Sequence, residues 1–202
     1  TATFDNYVGK VASKRRTATL GQRVTLDEGS GNPVTIEFVA LNGAGVETDN
    51  ENDLSLVAVV HFGNFDAEIG GDLSGVNGGG YVDVETSVAP QVGQVEVYKV
   101  HHHGSRYSSN GSWLSTVKPK IGILSMGTSN TFGHPTQECL GRLHAAGVKT
   151  YWTTGGNGAP LDPAFDKIAG NIDVESAPNA ETFTVRYSGS LIDSYANWGF
   201  SD

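Results

Sequence analysis

Val95-Glu96-Val97-Tyr98-Lys99-Val100-His101-His102-His103-Gly104-Ser105 is an apolar, strand-like run that ends abruptly in three histidines and a glycine. A polar loop follows, Arg106-Tyr107-Ser108-Ser109-Asn110-Gly111-Ser112. A rigid strand that ends in such a loop aims side chains while leaving room for a ligand, so the triplet reads as a candidate site. Its internal position separates it from an expression tag, which sits at a terminus. A solvated His-rich turn is the competing interpretation, and the triplet alone does not decide between the two.

The flanking sequence repeats the pattern twice. Upstream, the apolar segment from Asp53 to Glu68 runs to Ile69-Gly70-Gly71-Asp72-Leu73. Downstream, Ile121-Gly122-Ile123-Leu124 leads into Ser125-Met126-Gly127-Thr128-Ser129-Asn130-Thr131-Phe132-Gly133-His134-Pro135. Each is a strand candidate closing in a small-residue turn with an ionisable group at its tip. The expectation is that Asp72, the His triplet and His134 converge on one edge of a sheet. A carboxylate together with neutral imidazoles is a ligand set that suits Zn²⁺ and related ions.

These blocks carry a resemblance. Asn52, Ser55, Leu56 and Val57 come first, followed by Gly71-Asp72-Leu73. Lys99-Val100 and His102-His103-Gly104-Ser105 with Ser108 and Ser109 follow, then Asn130 and Gly133-His134-Pro135, then Asn157-Gly158. In this order and spacing they resemble the metallo-β-lactamase fold, and most closely the hydrolase domain of ComEC-type competence proteins. The resemblance runs from about residue 52 to about residue 185. It implies an α/β chain, the C-terminal portion of a metallo-β-lactamase-like αββα sandwich, read as a single unit over 1–202. Within it, 1–51 are motif-poor connecting strands, 52–188 the motif-bearing core and 189–202 a tail. One hallmark is missing. The family's His-x-His-x-Asp-His segment, which supplies most metal ligands, does not occur here, and only His61 precedes the triplet. The expected partner is therefore a companion N-terminal half that carries that motif, on the same precursor or on a separate chain.

The resemblance also assigns roles. Asp72 corresponds to the carboxylate that bridges two Zn²⁺ ions, with Mn²⁺ as the alternative metal; a plain turn aspartate is the competing reading. Of the paired histidines, His102 is taken as a metal ligand and His103 as the catalytic group that hydrogen-bonds a ligand or substrate oxygen. His101 stands where relatives carry glycine and is read as incidental. Ser105, Ser108, Ser109 and Asn130 are candidate substrate contacts, although serines in a turn need no such role. His134 is a candidate contact to a phosphate or a leaving group; against this, it could simply cap a helix that begins at Pro135. His61, mid-strand beside Phe62, reads as a packed core histidine, and His144, late in a helix, as structural.

Composition narrows the class. The chain of 202 residues is long enough for a sizeable core. No window approaches the roughly 20 apolar residues of a membrane span. Thr1-Ala2-Thr3-Phe4-Asp5 does not resemble a secretory leader. The net charge of −9 argues against broad nucleic-acid binding. The charge is uneven, however: Lys10, Lys14, Arg15, Arg16 and Arg23 against Asp5 give residues 1–23 a charge of +4, leaving −13 elsewhere. That patch is a solvated face or a guide for a phosphate-bearing substrate. Asp49, Glu51 and Asp53 read as a solvated acidic turn. Cys139, the single cysteine, reads as a small hydrophobe in a helix. A composition rich in Gly, Asn, Ser and Thr with few lysines leans toward a secreted or periplasmic protein.

Periodicity supplies the architecture. Val34, Ile36 and Phe38 alternate as a half-buried strand, Leu54 to Phe62 reads as one buried strand, and Ile121 to Leu124 as another. A helix is expected over 135–146, starting at Pro135 and ended by Gly147, with a strand at 149–153. Ile172-Asp173-Val174 and Phe183-Thr184-Val185-Arg186-Tyr187 form a hairpin. Strands and helices mixed without repeats indicate a layered α/β sandwich. The leading functional expectation, carried by the resemblance, is a metal-dependent hydrolase that directs a metal-bound hydroxide at a phosphodiester or related ester, DNA included. A non-catalytic binding or structural module with an incomplete metal site is the alternative, and a lactone or β-lactam hydrolase a further one. Tyr187, Tyr195, Trp198 and Phe200 are candidates for a partner surface, or for packing against the missing half.

Overall fold

Antiparallel and parallel pairing meet at one strand of the main sheet. The computed structural model describes residues 2–199. Eight strands lie in the order β1 to β8: Arg23–Leu26, Val34–Ala40, Val57–Phe62, Phe65–Gly70, Val97–Lys99, Ile121–Leu124, Lys149–Trp152 and Asp166–Ile168. From β1 to β4 the neighbours are antiparallel, and from β4 to β8 they are parallel. The switch follows from the connections. β3 and β4 are joined by the tight turn Gly63-Asn64, whereas the parallel pairs need crossovers. Three helices lie in the first three of those crossovers, α2 (Glu85–Val92), α3 (Gly111–Val117) and α4 (Gln137–Ala145), whereas β7 and β8 are joined by residues 153–165 without a helix. α1 (Ala2–Val11) precedes the sheet and buries none of its residues.

Side chains on opposite faces of the main sheet have different partners. Val57, Val59, Tyr98, Leu124 and Trp152 point toward the helices, where Val88, Trp113, Val117, Leu140 and Leu143 complete a core. The opposite face carries Val97, Ile121 and Tyr151, which pack against Phe183, Val185 and Tyr187. Those last three belong to a second sheet of β9 (Ile172–Glu175), β10 (Thr182–Tyr187) and β11 (Leu191–Ala196), ordered β11-β10-β9. The protein is thus a three-layer α/β assembly: helices, an eight-stranded mixed sheet and a three-stranded sheet.

The small sheet leaves part of that second face open. In the register of the main sheet, Ile36 lies opposite Val60, Val60 opposite Ala67, and Ala58 opposite Ile69. These residues therefore share one face. Val24, Leu26 and Ile69 on it are exposed. A groove of about 380 Å³ runs between this strip and β9, lined by Val60, Ala67, Ile69, Ile123 and Val174.

Several sequence expectations hold. β2, β6, β7 and the β9–β10 hairpin fall where the periodicity puts them. Others change. The run Leu54–Phe62 becomes a strand only at Val57, because Leu54 and Ser55 still belong to a turn closed on Asn50 and Asn52. The helix expected from Pro135 begins at Gln137, and Thr136 is its cap, its hydroxyl accepting from Cys139 N at 3.4 Å. The hydroxyl takes the capping role that the competing reading gave to His134, and it is held in place by donating to Gly104 O. The tail expected over 189–202 contains β11, paired with β10 over Thr182–Tyr187. The C-terminal aromatics are used internally: Tyr187 is buried, Tyr195 stacks on Phe183, and Trp198 donates to Val95 O while Lys120 sits over its ring. Phe200 lies outside the described residues.

Candidate functional site

Asp72 follows β4, the His101–Gly104 turn follows β5, and the loop ending at His134 follows β6. Because β4, β5 and β6 are adjacent and parallel, all three segments leave the sheet at the same edge. Ligands of open α/β sheets bind at that edge, beyond the carboxyl ends of the strands. Here the segments enclose a cleft of about 430 Å³ lined by Asp72, His102, His103, Ser105 and His134. The convergence expected from the three strand ends is therefore present.

Close backbone approaches fix Asp72. Its N–H donates to Ser55 Oγ at 2.9 Å, and a Cβ on Gly71 would meet that same oxygen at 2.6 Å. Glycine is needed there for the chain to pass.

The histidine turn is strained in a specific way. His102 (φ 50°) and His103 (φ 55°) are consecutive left-handed residues. L-residues incur about 1–2 kcal/mol each in that region, so the surroundings must impose the conformation. Much of the restraint comes from His101, which the sequence reading took as incidental. Its ring is fully buried, with Nε2 2.9 Å from Glu68 Oε1 and Nδ1 2.9 Å from Glu85 Oε1. Trp113 and Tyr98 pack against the ring, at centroid distances of 4.8 and 5.0 Å. Burial opposes a charge on this imidazole, but the two carboxylates outweigh it and raise the pKa to about 9. Glu68, buried in turn, is pushed up by desolvation, with His101 pulling the other way. Beyond the histidines the chain turns at Gly104 (φ 79°), where a Cβ would come within 2.8 Å of Leu124 and Pro135.

His103 and His102 face the cleft with different proton arrangements. His103 Nδ1 lies 2.6 Å from Ser125 O; a carbonyl only accepts, so Nδ1 carries the proton. Nε2 is thereby turned toward Asp72 Oδ1, 3.5 Å away. His102 Nε2 accepts from the Asn52 amide at 3.3 Å, while its buried Nδ1 has no partner. Burial lowers the His102 pKa, the neighbouring His103 adds to this, and Asp72 opposes it. His134 is lowered to about 4, first by burial and then by His102 and His103. Its Nδ1 is also buried without a partner. The cleft is thus built to keep at least two imidazoles neutral near pH 7.

The remaining candidates separate. Ser105 lines the cleft. Ser108 and Ser109 lie beneath it, fully buried: Ser108 Oγ donates to His101 O, and Ser109 Oγ bonds the Tyr98 hydroxyl. Asn130 supports the third loop, its side chain accepting from His134 N and donating to His134 O and Gly127 O. Sequence reasoning missed the aromatic wall. Tyr81 stacks on Tyr107 at 4.7 Å and meets His102 edge-on at 5.4 Å, while Phe132, 80% exposed, stacks on His134. Arg106 adds a positive charge to the rim. No motif marks these residues, because only the folded loops bring them together.

Two other expectations are corrected. His61 is not a core histidine: its side chain is partly exposed and its Nδ1 meets Asp66 Oδ1 at 2.7 Å, a contact that raises its pKa against partial burial. Asp53 is not in a solvated turn but fully buried, with Oδ2 accepting from Thr48 Oγ1 and Val82 N. His144 is structural as expected, paired with Asp166 Oδ1 at 2.8 Å. Cys139 is buried in α4.

Asp72 Oδ1 and His103 Nε2 are close enough to share one ion, and the Nδ1–H to carbonyl bond of His103 is the usual support of a ligating imidazole. Yet among the described residues no three His, Cys, Asp or Glu side chains are gathered to hold a metal ion. A zinc site takes three or four protein ligands. This chain alone does not fit a complete centre.

The fold and cleft define a mixed α/β protein with a histidine-lined site at the carboxyl edge of its sheet. No family model matches the chain. Over 109 residues, 54% of this chain and 13% of the relative, it is 31% identical to Recombination protein 2 of Haemophilus influenzae. It is 39% identical to Competence protein ComA of Neisseria gonorrhoeae over 54 residues, 27% of this chain and 8% of that protein. With ComE operon protein 3 of Bacillus subtilis the identity is 29% over 118 residues, covering 58% of this chain and 15% of the relative. The chain thus matches less than a sixth of the length of each of these relatives. The similarity to competence-related proteins agrees with the ComEC-type resemblance. Among the described residues no helix is long and apolar enough to cross a membrane.

Proposed function

We propose that this chain is the C-terminal part of a metallo-β-lactamase-like fold and carries one side of a hydrolytic cleft that acts on phosphodiesters, with DNA as the substrate. The observation that supports this most is the approach of His103 Nε2 to within 3.5 Å of Asp72 Oδ1, a spacing at which the two could share one ion, with the ring oriented by its Nδ1–H bond to the Ser125 carbonyl. His102 and His134, whose pKa values are lowered chiefly by burial, present neutral imidazoles beside it, the form that ligates a metal ion. Similarity to proteins named for competence and recombination supports DNA as the diester. The site is completed by a companion segment that supplies the remaining ligands for Zn²⁺ or Mn²⁺. The exposed apolar strip of Val24, Leu26 and Ile69 on β1 and β4 supports such a covering partner. A non-catalytic module is the second reading, favoured by the absence of a three-donor group among the described residues.

Elemental analysis of the native protein after exhaustive dialysis separates the two. About two Zn or Mn per chain, together with cleavage of a fluorescent single-stranded oligonucleotide, is expected of the hydrolase with its companion bound. Well below one metal per chain and no cleavage in a preparation that holds a partner would sink the hydrolase reading.

A further inference from the structure

We propose that Glu68, His101 and Glu85 form a buried clamp that positions the two cleft histidines next to it in sequence. An extended strand sends successive side chains to opposite faces, so His102 and His103 would point apart if β5 simply continued. The left-handed pair prevents this. With φ at 50° and 55°, both residues turn their rings into one cleft while His101 turns inward toward the helix layer. The inward ring is gripped from two elements at once: Glu68 on β4 holds Nε2, and Glu85 at the start of α2 holds Nδ1, each at 2.9 Å. Glu85 also accepts from Ser109 N and Asn110 N at 2.7 Å, so one carboxylate fixes the segments on both sides of the cleft histidines.

Two glycines show how closely the clamp is fitted. A Cβ on Gly70 would lie 2.3 Å from His101 Nε2, and one on Gly75 would lie 1.9 Å from Glu85 Oε2. The turn closes with His102 N donating to Gly71 O at 3.3 Å and Ser105 N donating to His102 O at 2.9 Å. His101 is therefore a positioning residue. It touches nothing in the cleft and acts by setting the direction of the His103 ring, whose Nδ1 then reaches Ser125 O. The inference rests on the preceding reading only in taking His102 and His103 as the working side chains.

The test uses the full chain without metal or substrate, so it is independent of whether hydrolysis is observed. The His103 ring nitrogens are read by ¹⁵N NMR at about pH 8.5, two units above the ordinary imidazole pKa. In the unsubstituted protein a single tautomer with the proton on Nδ1 is expected. In His101→Gln, folded by circular dichroism, the signal should become that of a mixture of both tautomers, and the Ser105 amide should exchange at least ten-fold faster. Should His101→Gln fail to fold, Glu68→Gln, of the same shape, is read in its place, with the same change expected to a smaller degree. A folded variant of either kind that keeps the single Nδ1–H tautomer and an unchanged Ser105 amide overturns the clamp. A lost tautomer in a protein that cleaves nothing leaves the clamp standing and counts against the hydrolase alone.

Discussion

His103 Nε2 stands 3.5 Å from Asp72 Oδ1, although the two residues are 31 positions apart and sit at the ends of neighbouring parallel strands. The relationship depends on the Ser125 carbonyl, contributed by the next strand end, which accepts from Nδ1–H and so turns Nε2 toward the carboxylate. Three consecutive strand ends thus combine to set one imidazole nitrogen beside one carboxylate.

Replacing either partner should abolish the cleft's chemistry without unfolding the protein. His103→Ala and Asp72→Asn are expected to lower diester cleavage by the companion-completed protein by about 10²–10⁴-fold. Both side chains are partly exposed, so stability should change by about 0.5 kcal/mol or less. Cleavage assays beside urea unfolding curves check the pair, and undiminished activity in both variants counts against the site.

His134 carries a pH signature. Its folded pKa of about 4 lies below the ordinary 6.5, so the unfolded chain binds its proton more readily. The resulting stability is present above pH 6.5 and is lost as the pH falls from 6.5 through 4. The slope of unfolding free energy against pH in that window should shrink in His134→Asn, and an NMR titration of the His134 ring in the parent should have its midpoint near 4. A midpoint near 6.5 would show that the ring is solvated.

Cys139 should be chemically silent. Burial pushes its thiol up to about 11, and the side chain has no exposed surface. Modification by a thiol reagent at pH 8 is expected to follow the rate of opening or unfolding rather than reagent concentration. Rapid labelling of the folded protein contradicts the packing of α4.

Trp113 joins the clamp to the helix core. It is fully buried, with its ring centroid 4.8 Å from His101 and 5.6 Å from Tyr98. Trp113→Ala should cost about 3–5 kcal/mol, the range for large buried aromatics. Chemical denaturation followed by circular dichroism measures it, and a loss below about 1 kcal/mol would contradict the assigned core.

The apolar strip separates binding from folding. Ile69 is 50% exposed on the open face, so Ile69→Lys should leave the isolated chain's stability within about 0.5 kcal/mol. Binding of a companion carrying His-x-His-x-Asp-His should fall about ten-fold or more by titration calorimetry. Unchanged binding would place the companion elsewhere.

Some features follow from short-range chemistry and were legible in the amino-acid order alone. Val34, Ile36 and Phe38 alternate because one strand has two faces, and β2 lies there. β6, β7 and the β9–β10 hairpin follow by the same periodicity and by turn residues. So does the placing of Asp72, the His triplet and His134 at strand ends, from which a shared cleft could be inferred. Other features depend on partners far away in the chain. The Leu54–Phe62 run looks like one buried strand, but it is a strand only from Val57, and its pairing across Gly63-Asn64 with Phe65–Gly70 is set by the closed hairpin. Asp53 looks like a solvated acid, but Val82 N, 29 positions on, holds it in the interior. His101 looks like the redundant member of a triplet, yet Glu68 and Glu85 from two other elements make it the buried one. Tyr81, Tyr107 and Phe132 carry no motif and become a wall only when three loops close. The physical division is one of range. Backbone periodicity and turn preference act over a few residues and can be read along the chain, whereas burial, protonation and ring orientation are set by groups that only the closed fold brings within a few ångströms.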